Sequence, residues 1–394
     1  MDESSGNGEK TLIYRDPAPF HCEAQGLQLG FYPAGPDRLD RLLQLIGEAR
    51  GSLKLAFYIF ARDDSGRVVR DALADAARRG VEVTVIVDGF GAEADGDFFA
   101  PLMEAGGKFY LFLAKWSRRY LIRNHQKIVV ADGETAMLGG FNIEDSYFEP
   151  PERNGWNDLA ITVSGPVVER IEEWFDRLEA WADDAHSQFR AIRRSVRDWN
   201  GGNGPVQLLI GGPTKGLSSW AHIISRDLMY GTRLDVMMAY FSPSRRLRSR
   251  IRQIARKGQT RLVMAGKTDN GATIGASRLL YGNLLKAGAR IWEFQPCRLH
   301  TKLIVLDDAV YLGSANFDMR SLYLNLEIVL RVEDRHLADT MRGFIAQHLP
   351  ASQEITREVH RQNATWFNRL RWTISWFLVS VLDYSVSRKL NLGL

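Results

Sequence analysis

Two stretches decide the reading: Asn124-His125-Gln126-Lys127-Ile128-Val129-Val130-Ala131-Asp132 and Leu299-His300-Thr301-Lys302-Leu303-Ile304-Val305-Leu306-Asp307. Both carry the pattern His-x-Lys-x-x-x-x-Asp, and 175 residues separate the two histidines. Residue frequencies place one such pattern in roughly one chain in forty of this length, so two at matching points mark a duplication. Each stretch is rich in β-branched and aliphatic residues and reads as a strand. Side chains alternate along a strand, so His125 and Lys127 share a face, as do His300 and Lys302. Asp132 and Asp307 have the opposite parity, and Asp132 precedes Gly133, a hairpin-turn pair. The parity predicts that the aspartates support the strand end or the local electrostatics and do not touch a ligand.

The repeat continues outward. Leu53–Ala61 reads as a buried strand, residues 68–80 as a helix stopped by Gly80, and residues 81–87 as the next strand. Residues 234–241, 246–258 and 260–265 replay that order in the second half. Leu102-Met103-Glu104-Ala105-Gly106 matches Leu284-Leu285-Lys286-Ala287-Gly288, each leading into a strand. Strands alternating with helices predict α/β layers, with a largely parallel or mixed sheet in each half. A long helical run over 166–196 carries Trp174, Phe175, Leu178, Trp181 and Phe189, a stripe that reads as core packing. The turn-rich Asp198–Pro205 joins the halves. The expected division is a disordered leader over 1–20, lobes over 21–198 and 199–350, and a C-terminal amphipathic membrane-associating helix over 351–394.

The chemistry follows from residue types. A lysine neutralises non-bridging phosphate oxygens, while a neighbouring imidazole attacks phosphorus or moves a proton. The catalytic set is therefore His125, Lys127, Asp132, His300, Lys302 and Asp307, with the aspartates in the supporting place given above. Leu138-Gly139-Gly140-Phe141-Asn142 parallels Leu312-Gly313-Ser314-Ala315-Asn316, which makes Asn142 and Asn316 phosphate-binding candidates beside the lysines. Asp158 and Glu327 occupy matching places further on and are the candidates to accept the second ring N–H of a histidine and fix its tautomer.

Composition narrows the classes. Of 394 residues, 45% are hydrophobic and 25% charged, the profile of a packed globular chain. A net charge of +4 fits an anionic substrate or surface and argues against nucleic acid as partner. Cys22 and Cys297 are the only cysteines, which excludes a cysteine-rich zinc cluster and fits a reducing compartment. The polar Met1–Lys10 reads as a disordered leader and not as a signal peptide, and the apolar stretch 372–382 is too short to span a bilayer. Trp366, Phe367, Leu370, Trp372, Ile374, Trp376, Phe377 and Leu378, bracketed by Arg369, Arg371, Arg388 and Lys389, suit a helix lying in a membrane interface. Docking on the protein's own core and a dimer contact are the other readings of that segment.

The paired motifs are similar to those of the phospholipase D superfamily. Gly313-Ser314-Ala315-Asn316-Phe317-Asp318-Met319-Arg320-Ser321-Leu322, Asn325-Leu326-Glu327 and Gly266-Lys267-Thr268-Asp269 resemble the bacterial cardiolipin synthases within it. The likeness covers roughly residues 50 to 345. It implies two pseudo-symmetric lobes, each a mixed β-sheet flanked by helices, sharing one active site. It also implies a metal-free, cofactor-free phosphatidyltransferase with a phosphohistidine intermediate, one histidine as nucleophile and the other as acid and base. His125 is taken as the nucleophile and His300 as acid and base, although the near-symmetric motifs leave the reverse assignment open. The expected substrate is phosphatidylglycerol or a similar phospholipid, and the expected place is peripheral, on the cytoplasmic side of the cell membrane. A hydrolytic phospholipase D and a nuclease on the same scaffold are the alternatives. Two departures stand out. Gln126 replaces a frequent arginine, which is expected to alter substrate contacts. The chain also lacks the amino-terminal membrane spans of the best-known cardiolipin synthases, which points to the shorter, peripheral members.

Overall fold

The structure, a computed structural model, describes residues 14–112, 122–184 and 189–382. In chain order the first lobe contributes β1 (Phe20–Ala24), β2 (Leu27–Tyr32), β3 (Ser52–Phe57), β4 (Glu82–Asp88), β5 (Lys108–Phe112), β6 (Ile128–Ala131), β7 (Thr135–Gly139), the short β8 (Trp156–Asn157) and β9 (Ala160–Ser164). The second contributes β10 (Val206–Gly211), β11 (Arg233–Met238), β12 (Phe241–Ser242), β13 (Gln259–Ala265), β14 (Arg290–Phe294), β15 (Arg298–Leu299), β16 (Lys302–Leu306), β17 (Ala309–Gly313), β18 (Phe317–Asp318), β19 (Glu327–Glu333) and β20 (Ser352–Glu354).

Two eight-stranded sheets result, ordered β1-β2-β9-β7-β6-β3-β4-β5 and β10-β19-β17-β16-β11-β13-β14-β20. The seven strands from β2 to β5 correspond one for one to those from β10 to β14, with β1 and β20 added at opposite edges. Within each sheet, β3-β4-β5 and β11-β13-β14 run parallel, while the motif hairpins β6-β7 and β16-β17 are antiparallel. Both sheets are mixed. The parallel portion needs crossover helices, which Asp64–Arg78 and Arg245–Lys257 supply. The matched Gly106 and Gly288 end their helices at φ 94° and 101°, a conformation that a Cβ would disfavour.

Burial sorts the helices into layers. Gly35–Glu48 and Asp64–Arg78 cover the outer face of the first sheet, and Ser219–Tyr230, Arg245–Lys257 and Gly271–Lys286 cover that of the second. The inner faces share a core with the helices Val167–Asp183 and Arg335–Gln347. That cluster contains Val130 and Leu138 of the first lobe together with Val305 and Leu312 of the second. The lobes are thus joined through buried apolar surface, which favours a fixed relative position.

Three expectations change in detail. The helical run over 166–196 is two helices, Val167–Asp183 and Phe189–Asp198. Trp174, Phe175 and Leu178 of the first are buried in the shared core. Residues 14–19, assigned to the disordered leader, are instead tied down: the Tyr14 ring packs edge-on against Phe294 at 4.9 Å, and Tyr14 and Asp16 accept from the Asn157 amide. The C-terminal region is not one helix. Residues 351–355 finish the second lobe through β20, and the helices Arg357–Asn363 and Trp366–Trp376 follow. Arg388 and Lys389 lie outside the described residues.

Candidate active site

The motif stretches are strands only in part, because β6 begins at Ile128 and β16 at Lys302. Both histidines stand ahead of their strands, and the face-sharing argument fails for them. A buried peptide group that leaves its own sheet needs another partner. Each finds it in the opposite lobe: the His125 N–H donates to the Leu326 carbonyl at 3.0 Å and the His300 N–H to the Asn157 carbonyl at 2.7 Å. Around them Asn124 bridges to Leu326, and β8 runs parallel to β15.

This exchange delivers each carboxylate to the other lobe's histidine. His300 Nδ1 lies 2.7 Å from Asp158 Oδ2, and His125 Nδ1 lies 3.1 Å from Glu327 Oε1. Asp158 belongs to the first lobe and Glu327 to the second, so the pairs are crossed. Both carboxylates are essentially inaccessible to solvent. Next to Asp158 stands Gly140, whose Cβ, if present, would fall 2.7 Å from Asp158 Oδ2 and 2.9 Å from Lys302 Cδ. The matching residue, Ser314, instead uses its hydroxyl to donate to Glu327 and accepts from the Ile328 N–H.

Lys127 and Lys302 are buried and donate to the carbonyls of His125 and His300, two residues back. Burial, together with the two ammonium charges, lowers His125 to about 4 and His300 to about 3. Both imidazoles are therefore neutral at pH 7. Burial also lowers Lys127 to about 7 and Lys302 to about 8, against the pull of Glu327 and Asp158. Burial alone would raise Asp158, but His300 and Lys302 hold it below the usual carboxylate range. The two lysines and the two buried carboxylates thus pack around two neutral rings, and the lysine ammoniums are the positive charges available to a phosphate there.

A cavity of about 560 Å³ opens onto both imidazoles and onto Asn142 and Asn316. The Asn316 Oδ1 is buried without a hydrogen bond, while the Asn142 Oδ1 accepts from the Ile59 N–H. His125 is the more accessible ring, at 14% against 6% for His300. Among the described residues no group of three or more His, Cys, Asp or Glu is arranged to hold a metal ion.

The motif aspartates lie elsewhere. Asp132 accepts from the N–H groups of Arg50, Gly51 and Ser52 at the start of β3, and Asp307 from those of Thr232 and Arg233 at the start of β11. Both take left-handed φ values, 54° and 50°, at their hairpin turns. Gln126 also does not reach the ligand space. It is buried and accepts from the Trp174 indole at 3.0 Å, so its exchange for arginine bears on the core and not on substrate contacts.

Several residues that line or support the site were not singled out from the sequence. Tyr58 lies 5.1 Å, ring to ring, from His125, and Tyr147 lies at the same distance from His300. Arg38 is fully buried and donates to the carbonyls of Pro33, Tyr147, Trp156 and Asp158, fixing the loop that carries Asp158. Tyr58 lies within the repeated segment Leu53–Ala61, where an aromatic reads as core, and Tyr147 and Arg38 fall outside the matched segments.

Comparisons with known proteins agree with this architecture. The family model described as "Cardiolipin synthase, PLD-like domain" matches residues 42–179 and 230–349. The major cardiolipin synthase of Bacillus subtilis (strain 168) is 30% identical over 88% of this chain and 74% of its own length. Cardiolipin synthase 1 of Staphylococcus aureus (strain COL) is also 30% identical, over 82% of this chain and 68% of its own. Among solved structures, the phosphatidylserine synthase of Haemophilus influenzae Rd KW20 superposes with a TM-score of 0.72, covering 94% of this chain and 96% of that one at 14% identity.

Proposed function

The chain belongs to the cardiolipin synthase, PLD-like domain family and is an enzyme of the phosphatidyltransferase or phospholipase D type; on that premise we propose that it joins phosphatidyl groups from phosphatidylglycerol into cardiolipin through a phosphohistidine. The observation that carries the mechanism is the crossed pair of carboxylate-held imidazoles facing one cavity. Glu327 and Asp158 accept hydrogen bonds from the Nδ1–H groups, which keeps those protons on Nδ1 and leaves each Nε2 as the reacting nitrogen. His125 attacks phosphorus, the P–O bond to the first glycerol breaks, and His300 delivers a proton to that leaving oxygen. The bound diester's negative charge raises His300 from its low free value and lets it carry this proton. In the second half His300 takes the proton of the incoming hydroxyl, the new P–O bond forms, and the bond to His125 breaks. Lys127, Lys302, Asn142 and Asn316 hold the non-bridging oxygens. Asp132 and Asp307 act at a distance, fixing the strand starts on which the motif hairpins rest.

The protein works as a peripheral enzyme on the cytoplasmic face of the cell membrane in this reading, with phospholipid as its partner. Support comes from the helix Trp366–Trp376, which buries Trp372 against the second lobe while Trp366, Phe367, Leu370 and Ile374 are 51% exposed or more. No helix among the described residues is long and apolar enough to cross a membrane.

The test is incubation of purified protein with phosphatidylglycerol vesicles and mass spectrometry of the products. Cardiolipin and free glycerol in equal amounts are expected. Phosphatidic acid without cardiolipin would assign the protein to the hydrolytic phospholipases.

A further inference from the structure

The cavity is asymmetric although the motifs are not. On the His125 side it is lined by Tyr58, Arg123 and Arg320, with the Arg123 guanidinium donating to the Tyr58 hydroxyl at 3.1 Å. On the His300 side it is lined by Tyr147, Tyr240 and Asp269. The Tyr240 ring stands edge-on to His300 at 6.4 Å, and its hydroxyl donates to Asp269 Oδ1 at 2.7 Å. The Thr268 hydroxyl donates to the same oxygen at 2.8 Å. Two hydroxyls on one oxygen fix the plane of a carboxylate that remains open to the cavity.

An ionised carboxylate is an acceptor only, so what it takes from a ligand is an O–H or N–H. It also repels an anion, which makes this wall unsuited to a second phosphate. Burial pushes Asp269 up, but Tyr240, Thr268 and His300 together hold it below the usual range, so it is charged at pH 7. In the reaction proposed above, the side of His300 is where the alcohol oxygen leaves and where the next one arrives. A glycerol moiety is reached there in both half-reactions, and it carries a hydroxyl on the carbon adjacent to the one that bears the reacting oxygen.

We propose that Asp269, held by Tyr240 and Thr268, is the subsite that reads the alcohol: it accepts a hydrogen bond from the hydroxyl adjacent to the reacting oxygen. It thereby selects polyol headgroups over monohydric alcohols and over water. Asp269 makes and breaks no covalent bond; the proton of the reacting hydroxyl goes to His300, and the P–O bond replaces the P–N bond to His125. The assignment rests on the phosphatidyl-transfer reading only for the acceptor. For the donor it needs nothing beyond headgroup release, because the leaving alcohol occupies the same subsite.

The experiment uses the full chain with two donors in vesicles, phosphatidylglycerol and phosphatidylpropanol, and with glycerol or 1-propanol as added acceptor. Asp269→Asn and Tyr240→Phe are compared with the parent as ratios of kcat/KM between the diol-bearing and the monohydric member of each pair. The parent favours the glycerol member. Asp269→Asn reduces that preference about tenfold or more, as expected when a hydrogen bond to a charged group is lost. Tyr240→Phe reduces it less, since Thr268 still holds the carboxylate. Preference ratios unchanged in Asp269→Asn overturn the proposal, even if absolute rates fall, because a structural role lowers both members together. Should Asp269→Asn fail to fold by circular dichroism, Tyr240→Phe decides by the same ratio. A parent that yields only phosphatidic acid sinks the transferase reading alone, and the donor ratio still tests Asp269.

Discussion

Lys127, lowered by burial to about 7, is already partly deprotonated at neutrality, and Lys302, lowered to about 8, follows just above it. Each loss removes a charge that the phosphate oxygens require, so kcat/KM for a diester is expected to decline as pH rises from 7.5 to 9.5. A profile that stays level across that range contradicts the assignment of the lysines. Stability should move the other way. With folded values below the unfolded value of about 10.4, the unfolded chain binds more protons than the folded one from about pH 7 to about 10, and folding gains as pH rises through that window. Replacing Lys127 by Met is therefore expected to abolish turnover yet raise the melting temperature by a few degrees at pH 7, since roughly 1 kcal/mol corresponds to ~2–4 °C for lobes of this size. The gap to the parent should narrow by pH 9. A variant that melts lower than the parent at pH 7 would show that the buried ammonium is net stabilising.

At the scale of elements, the hairpins and the short exchanged segments divide what the sequence made legible from what it did not. The turn of the β6-β7 hairpin, the glycine-stopped helices and the alternation of strands and helices along each half follow from local periodicity and turn residues and were readable, whereas the order of the strands within each sheet was not. The placement of the two histidines was not. It depends on backbone pairing between residues 142 to 202 positions apart, from Trp156–Arg298 to Asn124–Leu326, and no local pattern encodes such a partner. Likewise, the aspartates could be separated from the lysines by parity, but their seats at the starts of β3 and β11 required the tertiary structure. The helix Trp366–Trp376 combines two of its sequence readings. Trp372 is buried and stacks on His360, with 5.6 Å between ring centroids, while the opposite face is exposed. Exchanging Trp366, Phe367 and Leu370 together for serine is expected to cut binding to anionic vesicles at least tenfold in a sedimentation assay, because burying one such side chain contributes about 1.5–3 kcal/mol. Turnover of a short soluble diester should fall less than vesicle binding. Equal loss of both would mean that this face serves folding.

At the scale of the molecule, duplication explains the architecture and crossing explains the site. Two lobes of matching strand order share one apolar core, and each completes the other's histidine with a carboxylate. Neither lobe holds a complete imidazole–carboxylate pair of its own, so the chain has one site and not two. This accounts for a family match that falls in both halves of the chain, over 42–179 and 230–349. The repeated motif, its asparagines and its carboxylates were all visible in the sequence, whereas the unequal walls of the cavity were not: Tyr58 and Tyr240 fall inside the matched strand segments and Asp269 in the Gly266–Asp269 block, but no local pattern says that they meet at one cavity. The central claim is that the two motifs act on one phosphorus, with His125 as its carrier. It is tested most directly by stopping the reaction with phosphatidylglycerol in alkali and mapping the covalent adduct by mass spectrometry. The account predicts at most one phosphatidyl group per chain, on the peptide containing His125 and absent from His125→Ala. Two groups per chain, or one on the peptide containing His300, would contradict it.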